Sequence, residues 1–145
     1  MRLKGPEATE ALGRSLAAQL RAGDVVALFG DLGAGKTTLA RGILAGLGHE
    51  GEVASPTFPI VIPYDTLRLP AWHVDLYRLE DRAEIEELAL DEALQDGALI
   101  VEWPERMGLA LWPHSLRLTL RRQGEGARAL TAAVPPAWGA RWPPR

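Results

Sequence analysis

The chain has 145 residues, a net charge of −3 and 47% hydrophobic residues, which suits one globular domain with a packed core. The mild acidity gives no global reason to expect nucleic-acid binding, and the absence of cysteine excludes disulfides, zinc–thiolate sites and thiol nucleophiles. No apolar run resembles a signal peptide or approaches the roughly 18 residues of a membrane span, so we expect a cytoplasmic protein without membrane association.

The first third of the chain predicts a helix, a buried strand and a second helix. Leu12, Leu16 and Leu20 recur at the spacing of an amphipathic helix, and Gly23 follows as its stop signal. An apolar run and a further helical pattern come next. The predicted bounds are 8–21 for the first helix, 24–29 for the strand and 37–47 for the second helix.

A glycine-rich loop joins this strand to the second helix. Residues 30–38 read Gly-Asp-Leu-Gly-Ala-Gly-Lys-Thr-Thr, which matches the phosphate-binding pattern G-x-x-x-x-G-K-S/T. The glycines let backbone N–H groups converge on phosphate oxygens, Lys36 adds a mobile positive charge, and the Thr37 hydroxyl is placed to ligate Mg²⁺. Because strand, loop and helix follow in the confirming order, we interpret the loop as a nucleoside triphosphate site rather than a chance glycine-rich turn.

The rest of the chain alternates short strands with one acidic helix and ends in two strands with one apolar face. The predicted bounds are an extended segment at 59–63, a hairpin turn or loop at 63–70, strands at 71–74 and 98–101, an acidic helix at 81–94, and strands at 115–122 and 127–134. This order predicts a three-layer α/β fold with a central, mostly parallel sheet and antiparallel edge strands. One domain is expected over 1–134, followed by a Pro/Trp-rich tail at 135–145 that either packs down or stays mobile.

Two carboxylates follow apolar strands, at the sheet edge where ligands of open α/β sheets bind. Asp75 comes after the strand at 71–74 and Glu102 after the strand at 98–101. Hydrolysis of a nucleotide needs an acidic residue for Mg²⁺ and a group that positions the attacking water. Each carboxylate is expected to fill one of these roles, and the sequence leaves open which one fills which.

Four other residues lie near these motifs, and most of them have more than one interpretation. Thr57 is either a switch-like threonine that closes over Mg²⁺ or the γ-phosphate, or a turn residue. His73 shares a sheet face with Asp75 and is either catalytic or simply hydrogen-bonded. Arg78 contacts phosphate, contacts a partner or is a surface arginine, and Trp103 either packs near the site or is a core residue.

Four sequence motifs occur in one order along the chain: the loop at 30–38, Ser55-Pro-Thr-Phe58, His73-Val-Asp-Leu-Tyr-Arg-Leu79 and Val101-Glu-Trp-Pro-Glu-Arg106. Together they closely resemble the bacterial TsaE (YjeE) family, over about Thr9 to Arg128. The resemblance implies a P-loop NTPase fold and an ATPase, weak in isolation, that is needed to make threonylcarbamoyladenosine in tRNA. It also implies a TsaB–TsaD heterodimer as the partner, which ATP hydrolysis resets between turnovers, with tRNA reached only through that complex.

By motif position, the resemblance also implies roles for individual residues of this chain. Thr37 and Glu102 match the family's Mg²⁺ ligands, Asp75 its catalytic acid and Thr57 its switch-like threonine, and Lys36 completes the catalytic set. The implied cofactors are ATP and Mg²⁺. The implied nucleotide-binding residues are Thr9 (near the adenine), Asp31, Leu32, Gly33, Ala34, Gly35, Lys36, Thr37, Thr38 and Arg128 (on a late strand that approaches the nucleotide).

Two other functions are compatible with the same loop. A small-molecule kinase also binds a nucleoside triphosphate, but such kinases usually carry an arginine-bearing lid and an acceptor pocket, for which this chain is short. A nucleotide-gated binding module would use occupancy of the site without significant hydrolysis. The chain lacks the guanine-reading pattern N/T-K-x-D, which favours ATP over GTP.

Overall fold

A single sheet forms the centre of the molecule. The computed structural model describes residues 1–53, 61–64, 68–79 and 81–144 and, of Arg82, the backbone alone. The strands are β1 (Arg2–Lys4), β2 (Val25–Phe29), β3 (Val61–Tyr64), β4 (Ala71–Asp75), β5 (Ala98–Glu102), β6 (Leu116–Arg122) and β7 (Ala127–Ala133). Within this part of the chain they form one seven-stranded sheet in the order β1-β7-β6-β2-β5-β4-β3.

The middle of this sheet is parallel and its outer strands are antiparallel. β6, β2, β5 and β4 run in the same direction. β7 pairs antiparallel with β6, β1 with β7, and β3 with β4. The continuous apolar runs belong to the central strands, which are buried on both faces, and the alternating pattern belongs to β6, which has one buried face. The predicted mostly parallel centre with antiparallel edge strands is therefore confirmed.

Helices cover both faces of the sheet and complete three layers. The helices are α1 (Gly5–Ala17), α2 (Lys36–Gly46), α3 (Arg82–Glu87) and α4 (Leu90–Ala93), with 3₁₀ segments at Pro104–Ala110 and Pro136–Arg141. α1 and α2 share one apolar cluster with Val26 and Leu28 of β2. α3, α4 and the first 3₁₀ segment share another with Val25 and Ala27. None of the helices in the described residues combines the length and apolar character that a membrane crossing requires.

The two helices on the first face approach closely because glycines lie at their contact. A methyl group at Gly13 would collide with the backbone of Leu39, and one at Gly42 would collide with the backbone of Glu10. Since packed interiors leave little free volume, a larger residue at either position would push the helices apart. The contact holds α1 beside α2 and brings Thr9 to the phosphate loop.

The predicted bounds of the first helix, 8–21, are wrong at both ends. The helix begins at Gly5, because Pro6 in the first turn has a fixed φ that suits a helix start. It ends at Ala17, whose carbonyl accepts a hydrogen bond from Nη2 of Arg68 at 2.8 Å. The chain then turns toward β2. Leu20 keeps the apolar spacing of a helix although the helix has already ended at Ala17, which is why the predicted end was too late.

The single acidic helix predicted at 81–94 is also wrong, because the segment forms two short helices. Ala89 separates α3 from α4 and has a φ of 52°. The break has a packing reason. Ile85 and Leu90 are both buried in the same cluster, although residues five apart lie on different sides of one continuous helix.

β3 continues beyond the end of the extended segment predicted at 59–63. The strand runs through Tyr64, into the stretch predicted as a turn or loop. Residues 54–60 and 65–67 lie outside the described part of the chain, so the remainder of those two predictions is untested. β3 lies antiparallel to β4, with Val61 opposite Val74.

The two ends of the chain join the core, the first through a strand that was not predicted and the second through the tail. β1 has Leu3 as its only apolar residue, too weak a pattern to recognise, and it forms the outer strand beside β7. In the tail, Trp138 is 1% exposed and packs in the core. Arg141 bonds both carboxylate oxygens of Asp24, at 2.7 and 3.2 Å. Of the two possibilities for the tail, the structure shows packing.

Candidate nucleotide-binding site

The phosphate loop curls tightly between β2 and α2. Gly33 and Gly35 have φ angles of 77° and 109°, which side chains with a Cβ rarely adopt. The N–H of Ala34 donates to the carbonyl of Asp31 at 3.1 Å and closes the turn. α2 begins directly afterwards at Lys36, so the unpaired N–H groups of its first turn are available to an anion in the loop.

A pocket of about 420 Å³ opens between this loop and the ends of β4 and β5. Its walls come from the loop, the first turn of α2, the two strand ends and β7. The lining residues are Leu32, Gly33, Gly35, Lys36, Thr37, Thr38, Asp75, Tyr77, Arg78, Glu102, Trp103 and Arg128. The fold therefore brings together predicted site residues as distant in sequence as Lys36 and Arg128.

Lys36 lies at the back of the pocket with 4% of its surface exposed. Its Nζ donates to the carbonyl of Gly30 at 2.6 Å and lies 3.5 Å from the centre of the Trp103 ring. Burial lowers the pKa of this ammonium group, and the negative charge of Glu102 opposes the change. The contacts of Nζ are thus a carbonyl and an aromatic face, which a phosphate group can replace with stronger charge-assisted bonds.

Trp103 lines the pocket and also packs against the apolar cluster shared by α3 and α4, so both interpretations of this residue apply. It is half-buried, has a φ of 57° and lines the pocket. Its ring packs between Lys36 on one side and the Tyr77 ring, whose centre lies 4.8 Å away. Sequence reasoning placed Trp103 near the site as one possibility but gave Tyr77 no role. The available signal for Tyr77 was its position, two residues after Asp75 at the end of a pocket-forming strand.

Glu102 is held between two side chains at the inner end of the pocket. The Thr37 hydroxyl donates to its carboxylate, with oxygen–oxygen distances of 3.2 and 3.3 Å. Nε2 of His73, which is wholly buried, lies 2.6 Å from Oε2 of Glu102. Because a carboxylate only accepts, Nε2 carries the proton of this bond. Of the two interpretations of His73, the structure shows the hydrogen-bonded one, with Glu102 as the partner.

Asp75 lies beside Glu102 at the next strand end. The two residues are directly opposite each other in the β4–β5 register, and Oδ1 of Asp75 accepts the N–H of Tyr77 at 2.9 Å. Burial raises the pKa of the Asp75 carboxyl, the bond from Tyr77 opposes this, and the charge of Glu102 adds to the rise. A carboxyl with a raised pKa in a pocket is suited to accept a proton.

Thr9 and Arg128 meet on another side of the loop. They line a cavity of about 140 Å³ together with Gly35 and Thr38. Nη2 of Arg128 donates to the carbonyl of Gly33 at 3.3 Å, and Thr9 is buried at 1% exposure. The cavity adjoins the phosphate loop through Gly35, and the roles implied for Thr9 and Arg128 stay predictions.

Two predicted residues of the loop lie outside the main pocket. Asp31 and Ala34 do not line the main pocket but face a second cavity, with Arg121 and Arg122 on its other side. Ala34 is buried at 2% exposure, and its N–H is used by the turn bond to Asp31. Thr57 lies outside the described residues, and its role stays a prediction.

The model of the family described as "Threonylcarbamoyl adenosine biosynthesis protein TsaE" matches residues 3–130. This chain belongs to the TsaE family. A Bacillus subtilis protein named "tRNA threonylcarbamoyladenosine biosynthesis protein TsaE" is 42% identical over 131 residues, which cover 90% of this chain and 82% of the relative. A Streptomyces coelicolor protein of the same name is 46% identical over 135 residues, covering 90% and 91% of the two chains.

A solved structure agrees with this membership of the TsaE family. The crystal structure of Bacillus subtilis YdiB superposes with a TM-score of 0.81 and 34% sequence identity, covering 95% of this chain and 86% of that one. At this TM-score and coverage, the two chains share the same overall fold.

Proposed function

We propose that this chain is a Mg²⁺-dependent ATPase that acts as the ATP-binding subunit in the biosynthesis of threonylcarbamoyladenosine in tRNA. The observation that carries the proposal is the meeting of four residues in one pocket. Lys36 and Thr37 begin α2, while Asp75 and Glu102 end β4 and β5. A cation, a hydroxyl and two carboxylates around a phosphate loop are the groups that phosphoryl transfer to water requires. The names of the TsaE relatives supply the pathway.

The loop and Lys36 would hold the β- and γ-phosphates. Gly33, Gly35 and the first turn of α2 line the pocket, and the unpaired N–H groups of that turn would provide donors to the phosphates. Lys36 would exchange its bond with the Gly30 carbonyl for bonds to phosphate oxygens. The cavity at Thr9 and Arg128 would take the adenine end of the nucleotide.

Thr37 and Glu102 would hold Mg²⁺, and their geometry fits that ion. Mg²⁺ prefers oxygen ligands, and it keeps several waters and substrate phosphate oxygens beside one or two protein groups. The Thr37 hydroxyl and the Glu102 carboxylate are adjacent oxygens at the edge of the phosphate loop. The chemistry that bound Mg²⁺ supplies is neutralisation of charge on the phosphate oxygens. Because Glu102 is the carboxylate beside Thr37, Asp75 is left to orient the attacking water and accept its proton.

His73 is expected to act on Mg²⁺ affinity through Glu102. His73→Phe removes the Nε2–H donor that fixes the carboxylate, and the loss of such a supporting bond typically weakens metal binding by about tenfold or more. His73→Gln, which retains an N–H near the Nε2 position, is the matched control and should stay close to the wild type. The measurement is a Mg²⁺ titration of the ATP complex, together with ATP affinity in excess chelator, which should be equal in all three proteins. Equal Mg²⁺ affinity of the Phe variant and the wild type would contradict this role.

The proposed partner is a TsaB–TsaD heterodimer, which the chain would reset after each transfer of a threonylcarbamoyl group to tRNA. The test supplies heterodimer, tRNA and preformed threonylcarbamoyl-AMP, so that ATP serves this chain alone. We expect about one modified tRNA per heterodimer without the chain or without ATP, and many when both are present. Equal yields with and without the chain would contradict the proposal. So would many turnovers with a non-hydrolysable ATP analogue, or transfer of the γ-phosphate to a small-molecule acceptor.

A further inference from the structure

A second concave surface lies on the opposite side of the sheet from α1 and α2. It is a groove of about 300 Å³ between α3, α4 and the 3₁₀ segment Pro104–Ala110. Most of its lining residues are apolar, and two are acidic. The lining residues are Ile85, Glu86, Ala89, Leu90, Asp91, Met107, Ala110 and Trp112. Nothing in the ATPase chemistry uses this groove.

Leu109 is an exposed apolar residue next in sequence to the groove wall. Its side chain is 98% exposed, the highest value among the large hydrophobic residues of the described chain. It precedes Ala110 of the groove wall and follows Gly108, where φ of 54° and ψ of −127° interrupt the 3₁₀ segment. A single exposed leucine is ordinary, but one on the same short segment as the wall of an apolar groove is consistent with a protein-binding surface.

The charge around the groove identifies the kind of partner. Between Asp81 and Asp96 the chain has seven carboxylates and one basic residue. Glu86 and Asp91 lie on the groove itself, and Asp91 also accepts the Trp112 indole N–H at 2.6 Å. Such a rim repels RNA phosphates and attracts Lys and Arg side chains. A small ligand in the groove would leave Leu109 uncovered, whereas a protein segment can cover both.

The groove wall is also connected to the nucleotide pocket. The 3₁₀ segment begins immediately after Glu102 and Trp103, which line that pocket. Its residue Met107 lines the groove. A phosphate bound by Lys36 changes the contact between its ammonium group and the Trp103 ring. The short segment between Trp103 and Met107 can therefore carry a change at one site to the other.

We propose that the groove and Leu109 dock an apolar segment, flanked by Lys or Arg side chains, on the TsaB–TsaD heterodimer. Docking responds to the nucleotide through the segment that follows Trp103. The identity of the occupant rests on the proposed function, whereas the apolar groove, its acidic rim and its connection to Trp103 are features of this chain alone.

The test is the affinity of purified chain for purified TsaB–TsaD heterodimer, with ATP and Mg²⁺ and without nucleotide. Leu109→Ser is expected to weaken binding by about 30-fold, the scale of a hot-spot residue, and to leave the ATP affinity of the isolated chain unchanged. The matched control is Val134→Ser, a second exposed apolar residue, which follows β7. Glu86→Gln should weaken binding, and more so at low than at high ionic strength. The matched control Glu125→Gln should leave binding unchanged at both ionic strengths.

Each outcome is decisive. Unchanged affinity of Leu109→Ser, with the wild type bound, would overturn the docking surface and leave the proposed function standing. An equal loss of affinity in Val134→Ser would show that the effect of Leu109→Ser is nonspecific, and it would also overturn the docking surface. Wild-type affinities that differ by less than about fivefold with and without ATP would overturn the link to the nucleotide. No binding of the wild type under either condition would overturn this surface together with the proposed partner.

Discussion

Replacing Lys36 with alanine is expected to lower ATP affinity by about 100-fold or more. The ammonium group makes charge-assisted bonds to phosphate, each worth roughly 1.5–3 kcal/mol, and each 1.4 kcal/mol corresponds to about tenfold in affinity. In the pocket, no other side chain from the loop offers a positive charge, and Arg128 is turned toward the Gly33 carbonyl. Isothermal titration calorimetry with ATP and Mg²⁺ measures the effect directly.

The chain offers a matched control for this change, because its other lysine is Lys4. Lys4 is exposed on β1, away from the pocket lining, and Lys4→Ala should bind ATP like the wild type. Circular dichroism of the Lys36 variant should show an intact fold, since the bond lost inside the protein is one contact with the Gly30 carbonyl. Wild-type ATP affinity in a folded Lys36→Ala protein would contradict the assignment of the phosphate site.

Replacing Asp75 with alanine is expected to preserve ATP binding and to lower kcat by about 100-fold or more, the usual contribution of a positioned general base. The carboxylate lies at the end of β4, opposite Glu102, and has no bond to Thr37 among the described contacts. ATP affinity should therefore stay within about twofold while turnover is lost. Steady-state hydrolysis and calorimetry on the same preparation separate the two effects.

Asp75→Asn distinguishes proton acceptance from structural support. The amide oxygen can still accept the Tyr77 N–H that Oδ1 accepts in the native protein, but it cannot take a proton from water. We expect this variant to be as inactive as Asp75→Ala. Because burial raises the pKa of the native carboxyl, kcat should fall as pH decreases through that raised value. Normal turnover in the Asn variant would show that Asp75 is not the base.

The parts of the fold that were predictable are those specified by local pattern. β2 and β5 are continuous apolar runs, and β6 alternates, so burial on two faces or one is visible in the sequence. The errors occurred where tertiary contacts override local spacing. α1 stops at Ala17 beneath Arg68, and the acidic segment breaks at Ala89 so that two apolar residues reach one core. β1 has too few residues to carry a pattern.

The same distinction applies to the site. The phosphate loop and the strand-end carboxylates were predictable, since a loop motif and the parallel sheet order bring Lys36, Asp75 and Glu102 to one edge. The contact of His73 with Glu102 and the stacking of Trp103 on Lys36 depend on distances across strands. No local pattern encodes such distances, so the sequence could name these residues without assigning their contacts.

The most direct measurement is a crystal structure of this chain with a non-hydrolysable ATP analogue and Mg²⁺. We predict the β- and γ-phosphates inside the curl of residues 31–37, bonded to Lys36, and Mg²⁺ about 2.1 Å from the Thr37 hydroxyl with Glu102 as its carboxylate partner. A nucleotide bound elsewhere on the protein, or an empty loop in a protein that shows no heat of ATP binding, would contradict the account.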